Sequence, residues 1–198
     1  MPTYPTPQEQ IAMAGLTYGR RHDISYRVGI VMQVFGSALL AVLYPLDSPF
    51  YTVGIMIFEA GVLLSAFYLL AWMSWVKKVV LAFVLAGIAL QVFGLYAPEE
   101  HAGPIILGGI CIMCVGAAGM AGTEAYCFRY REGWLLMLFG FPIMVLANLL
   151  GKENRIFNSI GFSALFLLLL SLAGRKLKEP LLLSCSLTDC GTSLRQRS

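Results

Sequence analysis

VVLAFVLAGIALQVFGLY, residues 79–96, is an apolar run with one polar member, Gln91, set between Lys77-Lys78 and the helix-breaking Pro98-Glu99-Glu100. At 1.5 Å per residue such a run reaches roughly 27 Å as an α-helix, close to the thickness of a hydrocarbon core. A helix apolar on every face has no side to turn to water, so it reads as a transmembrane span. Five further runs of similar length follow the same logic: Arg27 to Pro45, Tyr51 to Trp72, Pro104 to Gly122, Trp134 to Leu150 and Phe157 to Gly174. Pro45, Asp47 and Pro49 break the first hairpin, Trp72, Trp75, Lys77 and Lys78 mark the second exit, and Gly103 joins the third turn.

The expected fold is therefore all-α, a polytopic membrane helical bundle of about six transmembrane helices. Residues 27–174 form the bundle, 1–26 an N-terminal segment and 175–198 a loosely ordered tail. Composition agrees: 198 residues are 58% hydrophobic and 13% charged, with mean hydropathy +0.75. Soluble domains are roughly 45–50% apolar and about 25% charged. The loops are too short for a soluble domain, and the first 26 residues lack the apolar run and small-residue site of a removable signal.

Orientation follows from Lys and Arg. Arg20, Arg21 and Arg27, then Lys77 and Lys78, Arg129 and Arg131, and Arg175, Lys176, Lys178, Arg195 and Arg197 fall on one side. Only Lys152 and Arg155 fall on the other, so both ends are expected to be cytoplasmic. A net charge of +3, scattered between apolar blocks, excludes a nucleic-acid footprint. Cys111, Cys114, Cys127, Cys185 and Cys190 lie in apolar segments or on the cytoplasmic side, so no structural disulfide is expected. Thr6-Pro7-Gln8-Glu9 reads as a capping box opening a surface helix to about Gly15.

Gly29-Ile30 with Gln33-Val34-Phe35-Gly36 recurs as Gly87-Ile88 with Gln91-Val92-Phe93-Gly94. Gln33 lies six residues after Arg27 and Gln91 thirteen after Lys78. That is a depth difference of about 10 Å, which favours coincidence over a duplicated hairpin.

Among single residues, Glu59 is the sharpest, because no Lys or Arg shares its depth near the middle of a span. It must be protonated, hydrogen-bonded to a partner such as Gln91, or bound to a cation or a pigment's central metal; interhelical glue is the plainer role. Gln91, Asn148 and Asn158 can form an outer polar cluster, with Gln33 nearer the inner side. His101, in the outer loop, is the other ligand candidate, with an ordinary solvated histidine as the alternative; His22 lies in the basic N-terminal segment. Cys111, Cys114, Ala118, Ala121 and Gly122 make a small-residue ridge for a neighbouring helix. Cys111 and Cys114 match C-x-x-C, but without a second pair or a nearby His no metal site is expected. With two histidines in the chain, no catalytic residue is assigned.

Residues 122–134 gather acids, bases and aromatics at a cytoplasmic helix end. Glu124 shares a face with Cys127 and Phe128, while Arg129 and Arg131 can reach lipid phosphates or the Glu carboxylates. Tyr126, Tyr130 and Trp134 suit the interfacial aromatic belt. The run Glu124-Ala125-Tyr126-Cys127-Phe128 resembles the Glu-Ala-Phe-Cys-Phe signature of an uncharacterised integral membrane family found mainly in cyanobacteria, differing at Thr123, where a Lys is common. The resemblance implies a chain of about this length with six or so spans, a thylakoid or plasma membrane location and a part in pigment-protein assembly; it names no cofactor.

Two functions are carried forward. One is a non-enzymatic scaffold or assembly accessory that binds other membrane subunits through the small-residue ridge and the Glu124 to Trp134 segment. The other is a small-solute or ion transporter or channel using Glu59. A membrane-embedded enzyme ranks last, for want of paired His, Asp or Ser groups.

Overall fold

The computed structural model describes residues 20–46, 48, 50–69, 74–128, 130–150 and 155–178. The capping box at Thr6, the tail beyond residue 178, Arg129 and Lys152 lie outside them, as do the side chains of Cys127, Asn148 and Arg155. Among the described residues every regular element is helical.

Helix α1 is Arg20–Leu43, α2 Tyr51–Phe67, α3 Ser74–Leu95 and α4 Glu99–Phe128. The fifth rod, α5, runs without a break through an α-helical turn Arg131–Leu135, a π turn Leu136–Gly140 and a second α-helical piece Phe141–Leu150. Helix α6 is Arg155–Lys178. Four of these, α1, α3, α4 and α6, are long and apolar enough to cross a membrane. With 17 residues α2 is shorter, and α5 is divided by its π turn.

Proline explains the π turn. Pro142 has no N–H to give and its ring collides with the carbonyl four residues back. The helix widens just before it, where Phe141 N–H bonds to the Leu136 carbonyl five residues back.

Each helix packs on the next, and α6 packs back on α1, so the six close a ring. Neighbours run antiparallel. The end of α1 meets the start of α6 where Asn158 donates to Tyr44 Oη at 3.1 Å and Ser159 donates to the Ala41 carbonyl at 3.2 Å. The starts of α1, α3 and α5 and the ends of α2, α4 and α6 thus share one end of the ring. It carries Arg20, Lys78, Arg131 and Lys178 and is called the basic end below.

Two hairpins are locked by backbone contact. A Cβ on Gly61 would lie 2.7 Å from Gln33 N and 2.7 Å from the Gly29 carbonyl oxygen. A Cβ on Gly109 would lie 2.9 Å from Gln91 N and 2.7 Å from the Gly87 carbonyl oxygen. The recurring sequence therefore makes one crossing twice, α1 on α2 and α3 on α4. The depth difference expected from sequence arose from using Arg27 as the membrane marker. The helix begins seven residues earlier, at Arg20, and Gln33 lies as far beyond Arg20 as Gln91 beyond Lys78.

Candidate functional site

The acids and bases of the basic end face each other inside the ring. On α1, Arg27 Nε donates to Asp23 Oδ1 at 3.0 Å and Nη2 to Oδ2 at 2.9 Å, a forked pair one helical turn apart and buried. Pairing lets α1 start before its apolar run and carry an arginine inward. Across the ring, Lys176 Nζ on α6 donates to Glu124 Oε2 on α4 at 3.1 Å, with both side chains 2% exposed or less. The same Nζ lies 5.7 Å from the centroid of the Tyr26 ring and 5.6 Å from that of Tyr130. A carboxylate and two aromatic faces thus surround the ammonium, an arrangement that holds cations away from water. At the rim, Arg175 Nε meets Glu132 Oε1 at 2.9 Å with the arginine half exposed.

Ring order gives the Glu124–Lys176 pair its importance. Helices α4 and α6 are separated by α5, so the bond spans the interior and does not merely staple neighbours. Beside it lies a cavity of about 10 Å³, lined by Tyr26 and Gln33 of α1, Glu124 of α4, Leu136 and Phe141 at either end of the π turn, and Leu169 of α6. That is the scale of a single water-sized species. Gln33 Oε1 and Glu124 Oε1 are both buried without a hydrogen-bond partner. Gln33 uses its other end, Nε2 donating to Ser65 Oγ at 3.0 Å and to the Gly61 carbonyl at 3.3 Å. Ser65 Oγ in turn donates to the Tyr26 carbonyl at 3.4 Å. Ser65→Ala is expected to lower unfolding stability by about 1 kcal/mol, the scale of one interhelical hydrogen bond, read in a denaturing-detergent titration.

Glu59 of α2 and Gln91 of α3 come together as the sequence suggested. The Gln91 side chain lies beside the Glu59 carboxyl, yet Glu59 Oε1 and Gln91 Nε2 remain buried without a hydrogen-bond partner. The two hairpins explain why. In the first, Ser65 follows Gly61 by four residues and holds Gln33; in the second, Met113 follows Gly109 by four and offers no acceptor, so Gln91 turns to Glu59.

Other expectations need correction. His101 sits in the first turn of α4 and not in a loop, exposed, with Nδ1 3.2 Å from Glu100 Oε1. Among the described residues no three His, Cys, Asp or Glu side chains gather as a metal site. Asn158 pairs with Tyr44. His22 stacks edge-on against Tyr68 at 4.9 Å. The small-residue ridge is covered from within the chain. Cys114 Sγ lies 3.9 Å from Met144 Sδ, and a Cβ on Gly122 would strike Met137 Sδ at 2.6 Å, so Cys114 and Gly122 serve α5. Cys111 and Ala118 are partly buried on the same helix. Of the carboxylates that Arg129 and Arg131 were expected to reach as an alternative to lipid phosphates, Glu124 takes Lys176 and Glu132 takes Arg175, and Arg131 is exposed. Asp23, Arg27, Lys176, Arg175 and Glu132 were missed as site residues, although three acids among the cations of the basic end were a signal that they pair. No protein-family model, curated protein or solved structure matches this chain.

Proposed function

We propose that the chain is a non-enzymatic transporter of small solutes or ions, held here in a closed state, with the Glu124–Lys176 pair as the gate of its basic end. The observation that carries this reading is the fully buried ion pair bridging non-adjacent helices of a closed ring, beside a small cavity that Glu124 and Gln33 help to line. Ionisable groups inside a bundle are costly and mark pathways more often than packing. Glu59 and Gln91 form a second polar station between the two hairpins.

The proposed topology has six spans, with α2 and α5 completing the set, and both ends in the cytoplasm; the Lys and Arg asymmetry supports it. The resemblance carried by Glu124 to Phe128 supports placing it in a thylakoid or bacterial plasma membrane.

Proteoliposomes test the gate. Glu124→Gln combined with Lys176→Met removes the pair without leaving a buried charge, and is expected to raise ion flux several-fold over wild type. Flux indistinguishable from empty liposomes in both proteins would sink the reading.

A second reading, scaffold or assembly accessory, rests on α3. Only 22% of its apolar window is buried, against 44% for α1, so most of its surface is left for lipid or a partner helix. The internal use of Gly122 and Glu124 removes two of the features first expected to carry it. Native purification in mild detergent tests it: co-purifying subunits and pigment absorbance support assembly, and recovery of this chain alone, colourless, counts against it.

A further inference from the structure

We propose that Glu124, Gln33, Tyr26 and Tyr130 form a binding site for a small primary ammonium ion, in which the chain's own Lys176 is the resident occupant. The inference deepens the transport reading and rests on it for its consequence, because it names the substrate class. The Lys176 head is itself a primary ammonium, and its surroundings define what the site recognises: Glu124 Oε2 at 3.1 Å and the faces of Tyr26 and Tyr130 at 5.7 and 5.6 Å. Next to it lies the cavity of about 10 Å³ that Gln33 and Glu124 help to line, and Gln33 Oε1 and Glu124 Oε1 are buried acceptors lacking donors. Ammonium is about the size of water and carries only donors, whereas a hydrated alkali ion is larger than the cavity and needs more oxygens than these two.

Charge fixes the stoichiometry. The Lys176 ammonium faces Glu124 from α4, Tyr26 from α1 and Tyr130 at the start of α5, and the nearby acids Asp23 and Glu132 pair with Arg27 and Arg175. One carboxylate in a low-dielectric interior compensates one cation. An entering ammonium ion must therefore displace Lys176, whose position two residues before the end of α6 gives its long stem an exit toward the basic end. Substrate entry and gate opening become one exchange.

The test is the thermal stability of Lys176→Ala in detergent, titrated with methylammonium chloride and, at equal ionic strength, with sodium chloride and tetramethylammonium chloride. The expected result is a saturable rise of several degrees with methylammonium alone, abolished when Glu124→Gln is added. Should Lys176→Ala fail to fold, ¹⁵N-lysine spectra of the wild type serve: methylammonium, and not sodium, is expected to move the Lys176 resonance to its solvent-exposed position. Equal responses to methylammonium and sodium overturn the site. Uptake of labelled methylammonium into proteoliposomes separates the two proposals: Glu124-dependent binding without uptake supports the site and removes the transport reading, whereas uptake without Glu124-dependent binding removes the site.

Discussion

Lys176→Met is expected to cost about 3–5 kcal/mol of unfolding free energy. The reason is asymmetry. With both side chains 2% exposed or less, removing the ammonium strands a carboxylate that neither water nor another free cation can reach. Arg27, also buried, is already forked onto Asp23, and Arg131 is exposed. Adding Glu124→Gln to Lys176→Met should recover most of the loss, because a neutral pair of similar volume has little to desolvate. Arg175→Ala is the control. Its side chain is 53% exposed, and the expected change is below about 1 kcal/mol. Denaturing-detergent unfolding of the four proteins decides it; a Lys176→Met loss no larger than that of Arg175→Ala would mean that the buried pair does not form in the membrane.

This pair also shows where reading a sequence as a membrane protein stops. Apolar runs and their flanking prolines located the helices, because hydrocarbon thickness dictates run length and does so locally. The Lys and Arg count treats every cation as a marker of the membrane surface, and that assumption hid the site. Arg27 and Lys176 are counted in that way, yet each is drawn inside by an acid, Asp23 one turn away and Glu124 at a separation of 52 residues. The first partner was legible from i,i+4 spacing; the second needed the ring, which brings the ends of α4 and α6 together on either side of α5. Taking Arg27 as a surface marker also displaced α1 by seven residues and made the Gly29 and Gly87 stretches look unrelated in depth. Glu59 was legible because no compensating charge shares its depth, and Gln91 was named as its partner. The π turn has a local cause in Pro142, which the length of an apolar run does not register.

The recurring hairpin gives the second large effect. Gly61→Val and Gly109→Val are each expected to cost about 3 kcal/mol or to prevent folding, more than most overpacking substitutions. In both cases the new Cβ meets backbone atoms, which have no rotamer to yield: Gln33 N and Gly29 O in one hairpin, Gln91 N and Gly87 O in the other. The helices would have to separate, taking with them the Gln33 contact to Ser65 and the approach of Gln91 to Glu59. Gly54→Ala meets only Leu39 and Leu40 side-chain atoms at 3.2–3.3 Å, which can shift, so its loss should be smaller. At Gly174 no atom lies within 4 Å of an added Cβ. There alanine relieves the conformational cost of a helical glycine and is expected to stabilise by about 0.5–1 kcal/mol. Equal losses at Gly61 and Gly109 would establish that the two stretches do the same structural work. A marked inequality would mean that only one crossing holds the ring together, and the hairpin with the smaller loss would then be the one free to move in the gate opening proposed above.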